Sequence, residues 1–299
     1  EVIAKDSDGM EIRSGILIFS TGSDDTNKAI KVAIIGDTES RPHINNKICK
    51  LALDEHPDFA IQRGDLTDGG KKDRKFEWNY EFFPGMNQLI SRVPFMPVAG
   101  NGEGDLYWFN KYFGFEDTAR GYYSFTYGNA EFFMLNSVPK VELAPAGRQY
   151  LWLENQLQNS KAKWKFVVMH YAPYSSDDDD YGNAWEGDSK LGDTDVRKMT
   201  PLFDKYNVDI VFFGHLHSYE RSWKIKADSI NPDNGTIYIQ TGGAGGNLEN
   251  FAPTHSWFSQ KTARGFHYCM MDINGNALYF QMIDINGNLK DFFTLEKGK

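Results

Sequence analysis

The sequence predicts a layered α/β fold on three observations. From about residue 31, short apolar runs of strand length alternate with stretches of helical periodicity. The last third reads mainly as strands and turns. The chain has 299 residues, 40% of them hydrophobic and 24% charged, enough to bury a large core. Residues 1–28 are polar and weakly patterned and are expected to form an N-terminal extension, with residues 29–299 as a single domain.

The elements follow in order. Lys31 to Ile35 reads as a buried strand, and Ile44, Ile48, Leu51 and Ala52 mark one helix face. Phe59 to Gln62 is a second strand, a helix carries Phe76, Tyr80 and Phe83, and Phe95 to Val98 is a third strand. Tyr122 to Tyr127 and Glu131 to Leu135 read as strands around a turn at Gly128. Tyr150, Leu153 and Leu157 give another helix face, followed by a strand over Lys165 to Met169, a helix over Val196 to Tyr206 and a strand over Asp209 to Phe213.

Asp-Ile-Asn-Gly-Asn occurs at Asp272 to Asn276 and again at Asp284 to Asn288. Alternating Asp and Asn oxygens would suit calcium, but the glutamate that closes a calcium loop is missing at the required spacing. Each Asn-Gly lies between strand-like runs, and hairpin turns, with Asn and Gly as the central pair, are the favoured reading.

Composition narrows the function. Against 41 acidic residues stand 32 Lys and Arg, a net charge of −9. No basic block stands out that would grip a phosphate backbone, so no nucleic-acid-binding patch is expected. No apolar run approaches the ~20 residues of a membrane span. Two cysteines, Cys49 and Cys269, exclude a disulfide framework and a thiolate metal cluster. The chain begins at Glu1 rather than Met, read as the trace of a removed leader and hence of a secreted or periplasmic location.

Five segments place a carboxylate, an amide or an imidazole just after a predicted strand: Gly36-Asp37, Gly64-Asp65, Gly100-Asn101, Met169-His170 and Gly214-His215-Leu216-His217. Residues at the carboxyl ends of strands converge on one edge of a sheet in layered α/β folds. Any one segment alone reads as a turn or a satisfied histidine, but together they predict a single site with the imidazole and oxygen donors of a hard-to-borderline metal centre.

The ordered series Gly-Asp, Gly-Asp, Gly-Asn-x-Glu, Val-x-x-His and Gly-His-x-His resembles the calcineurin-like metallophosphoesterases. Gly214 to Arg221, Trp185-Glu186-Gly187 and the Gly242 to Asn247 turn look most like the purple acid phosphatase branch. The resemblance implies a four-layer sandwich of two mixed β-sheets flanked by helices. It also implies two divalent or trivalent ions (Zn, Mn or Fe), bridged by Asp65. Asp37 and His217 would bind the first ion; Asn101, His170 and His215 would bind the second. A metal-bound hydroxide would then attack a small phosphate mono- or diester, with Asp65, Asn101 and His215 as the catalytic set.

Three departures from the family qualify that expectation. The tyrosine that colours the purple branch is replaced by Asp68, so a colourless protein is expected; Asp68 and Glu39 are rivals for the first ion's remaining ligand, with Asp68 favoured. Gly102 stands where the family has a substrate-contacting histidine, and Asn183 or Ala184 where the branch has another. General acid catalysis contributes 10²–10⁴-fold, so weakened or redirected hydrolysis, favouring good leaving groups, is expected. Asn183, Gly102 and Tyr171 are the substrate-side candidates.

Asp177 to Asp180 form a carboxylate run after His170. Most such runs are solvated loops; beside the site's mouth this one would favour substrates of low charge or recruit a third cation. Tyr171, Tyr174, Tyr181, Trp185, Trp257 and Phe258 would stack on a substrate or pack the loops together. Other functions compatible with the same residues are a metal-binding sensor without turnover and a hydrolase of another ester such as a sulfate.

Overall fold

A computed structural model describes residues 1–22, 25, 28–115, 120–183 and 186–298. Two mixed sheets form the interior. One has six strands in the order Leu289–Glu296, Ala277–Asp284, His267–Asn274, Ile30–Ile35, Phe59–Arg63, Phe95–Val98; the last three are parallel to one another and the others antiparallel. The other has seven, in the order Ser259–Ala263, Tyr219–Ser222, Ile237–Thr241, Ile210–Phe213, Trp164–Val168, Ala130–Met134, Tyr123–Tyr127. Its four strands from Ile237–Thr241 to Ala130–Met134 run parallel.

Alternation along the strands explains the layering. Val32 and Ile34 point into the space between the sheets, with Phe132, Phe166 and Phe212 from the opposite sheet. Ala33 and Ile35 face outward to the helix Pro42–Asp54, through Ile48, Cys49 and Ala52, and to Trp78 and Phe82. On the far side, Val167, Val211 and Phe213 pack on Leu153 and Leu157 of the helix Arg148–Asn159 and on Phe203 of the helix Thr200–Tyr206. The result is the expected four-layer sandwich.

Several local expectations change. Phe76 and Tyr80 are exposed, at 58% and 72%. The buried face of that segment is Trp78, Phe82, Met86 and Leu89, which share one side at helical spacing, with Phe76 and Tyr80 on the opposite side; a π-helical turn covers Trp78–Phe82. Val196 to Tyr206 is a 3₁₀ turn, Val196–Met199, running into the α-helix Thr200–Tyr206. Within residues 1–28, Ile3–Lys5 and Glu11–Arg13 pair as an exposed antiparallel hairpin.

Both repeats are hairpin turns. The first is one residue out of the expected register: Asn274 pairs with Ala277, so Gly275 and Asn276 are the central pair and Gly275 alone takes a positive φ, 58°. In the second, Asp284 Oδ1 accepts the N–H groups of Asn286 and Asn288, at 2.8 and 3.0 Å. Those bonds consume the carboxylate that a calcium loop would need.

Candidate dinuclear metal centre

The five donor segments do converge, but from two sheets rather than from one sheet edge. Asp37, Asp65 and Asn101 follow the parallel strands of the six-stranded sheet; His170 and His215 follow parallel strands of the seven-stranded one. The sandwich brings the two carboxyl-terminal edges together. Asp37, Asp65 and His215 all hold left-handed backbone conformations, with φ of 57°, 49° and 72°. Such non-glycine conformations cost on the order of 1–2 kcal/mol each. Three among the ligand candidates place backbone strain at the site.

One group of donors is Asp65, His170 and His215, with ligand atoms within 4.8 Å of one another. His170 Nε2 lies 3.3 Å from Asp65 Oδ2 and 2.9 Å from Asn101 Oδ1. Its Nδ1 is 2.9 Å from the Arg63 carbonyl oxygen, which as a donor bond fixes the tautomer that presents Nε2. The His215 ring stands edge-on to that of His170, with 5.1 Å between centroids.

The second group surrounds His217. Its Nδ1 is 2.7 Å from the Asn247 carbonyl oxygen, leaving Nε2 at 3.9 Å from Asp37 Oδ1 and 3.5 Å from Glu39 Oε1. Of the two rivals for this end, Glu39 is the one whose carboxylate the fold sets near His217. Asp68 is exposed, and its N–H donates to Glu81 Oε2 at 2.8 Å. The Gly242 to Asn247 turn is laid over this end: Gly245 and Gly246 donate to the Asp37 carbonyl, at 2.8 and 3.1 Å.

The electrostatics fit cations. Asp37 is fully buried; its Oδ1 accepts the His215 N–H at 2.8 Å, while Oδ2 has no hydrogen-bond partner. A buried, partnerless carboxylate oxygen is costly unless a cation meets it. Burial pushes the Asp37 carboxyl up to about 8, and burial, reinforced by Asp65 and Asp37, pushes Glu39 up to about 9. Burial works to lower His170, but the Asp65 carboxylate outweighs it and holds the imidazole at about 9. For His215, burial and then the His170 charge lower it to about 3. Such a crowd of buried acids and imidazoles is what a dinuclear cation site relieves. The residues present, four carboxylate or amide donors and three imidazoles, suit Zn, Mn or Fe.

The sequence gives Glu103 no role beyond its place at the end of the Gly-Asn-x-Glu motif. It is fully buried; Oε1 accepts the N–H of Leu66 and Thr67, at 2.7 and 3.2 Å, and Oε2 those of Gly100 and Asp65, at 2.7 and 3.2 Å. It ties the Asp65 and Asn101 loops into one unit, and the only sequence signal was its place after Gly-Asn-Gly. Arg63, also fully buried, donates to the Thr241 carbonyl. Glu249 accepts the His217 N–H at 2.6 Å.

The substrate-side expectations separate. A cavity of about 650 Å³ opens over Asn101 and His215 and is lined by Tyr171, Tyr181, Lys140 and Asp180 among others. Gly102 does not line it: its N–H donates to Asp65 Oδ1 at 2.7 Å, and a Cβ there would lie under 3.0 Å from the Thr67 carbonyl oxygen. Asn183 is half-buried and also off the cavity wall; its carbonyl accepts the N–H groups of Glu186 and Asp188, at 3.1 and 3.3 Å. Ala184 and Trp185 lie outside the described residues.

Tyr174 and Phe258 are core residues, at 3% and 1% exposure, packed with Tyr238. Trp257 is 42% exposed and stands edge-on to Tyr174. Of the five described aromatics, Tyr171 and Tyr181 are the ones on the cavity wall. Asp180 does reach the mouth, with Oδ2 3.5 Å from His215 Nε2, whereas Asp177 is buried and accepts the N–H groups of Asp179 and Asp180, at 3.2 and 3.1 Å.

Comparison with known proteins agrees with this geometry. The family model described as calcineurin-like phosphoesterase matches residues 30–219. Purple acid phosphatase 15 of Arabidopsis thaliana is 29% identical over 262 residues, covering 76% of this chain and 47% of that protein. Purple acid phosphatase 1 of Ipomoea batatas is 28% identical, covering 66% and 41%. The chain thus spans about half the length of the curated relatives it matches, or less. The solved purple acid phosphatase PPD1 from yellow lupin seeds superposes with a TM-score of 0.81 at 23% identity, covering 97% of this chain and 58% of that one. GAP50 of Plasmodium, described as the anchor in the inner membrane complex, superposes with a TM-score of 0.70 at 16% identity, covering 91% and 90%. With a match over most of its length and a fold and donor cluster to go with it, the chain belongs to the calcineurin-like phosphoesterase family.

Proposed function

We propose that the protein is a dinuclear metal-dependent phosphoesterase that hydrolyses a small phosphate ester. The observation that carries this reading is the meeting of Asp65, His170, His215 and Asn101 at the ends of strands from two sheets, beside the partnerless buried oxygen of Asp37. Asp37, Glu39 and His217 would hold one cation, Asn101, His170 and His215 the other, with Asp65 between. Bound there, such ions supply Lewis-acid charge stabilisation and a nucleophile drawn from water near neutral pH.

The chain's own groups do the positioning. Backbone carbonyls of Arg63 and Asn247 orient the two imidazoles, Glu103 holds the Asp65 and Asn101 loops, and Gly102 N–H anchors Asp65 Oδ1. With Gly102 buried and Asn183 off the wall, no imidazole other than the ligand candidate His215 lines the cavity among the described residues. Asp180 adds negative charge at the mouth. These features support a preference for esters with good leaving groups and low charge. Export to a secreted or periplasmic location belongs to the same proposal; among the described residues no helix is long and apolar enough to cross a membrane.

The test is metal analysis with a screen of aryl monoester, aryl diester and aryl sulfate substrates after loading with Mn, Zn or Fe. The expected result is about two ions per chain and hydrolysis of an aryl phosphoester. Stoichiometric metal with no hydrolysis of any activated ester would sink the enzyme reading.

A further inference from the structure

Two lysines, Lys140 and Lys190, line the cavity over Asn101 and His215, and Lys140 is the one held from two sides. Lys140 begins a short 3₁₀ turn, Lys140–Leu143, and lines the cavity. Its Nζ lies 2.6 Å from Asp193 Oδ2 and 4.4 Å from the centroid of the Tyr171 ring. Tyr171 in turn stands edge-on to His215, with 4.7 Å between ring centroids.

Asp193 is itself immobilised. It is 5% exposed, and its Oδ1 accepts the N–H groups of Asp195 and Val196, at 2.9 and 3.1 Å. A long flexible lysine on a cavity wall ordinarily loses rotamer freedom when it binds a ligand; here the carboxylate and the aromatic face have already imposed that order. An ammonium carries three N–H donors. Asp193 occupies one direction, and the lysine side chain, 40% exposed, remains open to the cavity.

We propose that Lys140 is a substrate-contact residue: its ammonium donates to a phosphate oxygen of the ester held over Asn101 and His215. Asp193 acts through it as a positioning residue. The inference rests on the phosphoesterase reading for the identity of the ligand, and on the cavity alone for the placement of the cation. It gives the mouth an ordered positive contact beside its acids, because Lys140 and Asp180 both line the cavity, as does the exposed Lys190. A phosphate oxygen is drawn to the lysine and turned away from the aspartate. The surrounding aspartates limit how much total negative charge is tolerated.

The experiment uses the full chain loaded with metal and measures binding of inorganic phosphate by calorimetry, together with kcat/KM for an aryl phosphate. A charge-assisted hydrogen bond of this kind is worth about 10- to 100-fold in affinity. Lys140→Met should weaken phosphate binding by that factor and lower kcat/KM in proportion, with metal content unchanged. Lys140→Arg, which keeps the charge, should recover most of the affinity. Phosphate affinity equal to wild type in Lys140→Met overturns the proposal. So does a Lys140→Arg protein as weak as Lys140→Met, since packing rather than charge would then be the cause, and so does a wild-type protein that binds no phosphate. The calorimetric arm needs no turnover. A wild-type chain that binds phosphate through Lys140 yet hydrolyses nothing would refute the enzyme reading and leave this one standing.

Discussion

Replacing Gly102 by histidine would install the imidazole that the family resemblance leads one to expect at this position, and the structure predicts that it will fail. A Cβ at residue 102 would lie under 3.0 Å from the Thr67 carbonyl oxygen and 3.1 Å from Asp65 Oδ1. The backbone has no freedom to yield. Gly102 carbonyl accepts the N–H groups of Gly69 and Gly70, both at 2.8 Å, and Gly102 N–H donates to Asp65 Oδ1 at 2.7 Å. Overpacking a rigid site costs about 1–3 kcal/mol, and a lost hydrogen bond to a carboxylate about 1.5–3 kcal/mol. Gly102→Ala, the minimal perturbation, should therefore lose roughly 2–4 kcal/mol if the two effects overlap in part. At a urea slope of about 3 kcal/mol per M, the unfolding midpoint falls by about 1 M. Because the displaced atoms carry Asp65, bound metal should fall with it. A Gly102→Ala protein whose midpoint stays within about 0.2 M of wild type, with full metal content, would refute the reasoning. So would a Gly102→His protein that gains activity at undiminished stability.

Two further outcomes follow from the same geometry. Glu39→Gln should lower metal content, because Glu39 faces His217 at 3.5 Å, whereas Asp68→Asn should leave it unchanged, because Asp68 is exposed; elemental analysis of the purified variants decides, and the reverse pattern would restore Asp68 as the ligand. The metal-free protein should lose stability as pH rises toward 9. Asp37 and Glu39, at about 8 and 9, and His170, at about 9, all sit above their ordinary values and bind more protons folded than unfolded. Their contribution is thus complete below the unfolded values and lost as pH climbs through the folded ones. Thermal melts of chelator-treated protein from pH 6 to pH 9 should show a falling Tm; a rising Tm would show that the buried acids are not protonated. The metal-loaded protein should vary less, since the ions take over the role of the protons.

The sequence by itself determined the α/β class, the seven strands between residues 30 and 213 and the five donor segments that follow strands. Strand periodicity and flanking Gly-Asp, Gly-Asn and Gly-His pairs are local signals, and local signals survive in one dimension. It also placed Asp65, His170 and His215 in one site across 150 residues, through the rule that strand ends converge. What it left open was set by neighbours distant in sequence. Phe76 and Tyr80 marked the helix, but the side it buries is that of Trp78 and Phe82, chosen by the sheet it packs on. For Tyr174 and Phe258 the sequence left substrate stacking and packing open, and they pack together in the core.

Only the tertiary structure decided which carboxylate faces His217, since Glu39 and Asp68 each follow a strand on the same sheet and their side-chain directions depend on the loops. Only it showed that Glu103 binds four backbone N–H groups, that Gly102 is walled in by Thr67, and that Asp193 holds Lys140 on the cavity wall. A residue's identity fixes what bonds it can form. Which of them it does form depends on atoms brought near by chain segments tens of residues away, and that information exists only once the two sheets have packed.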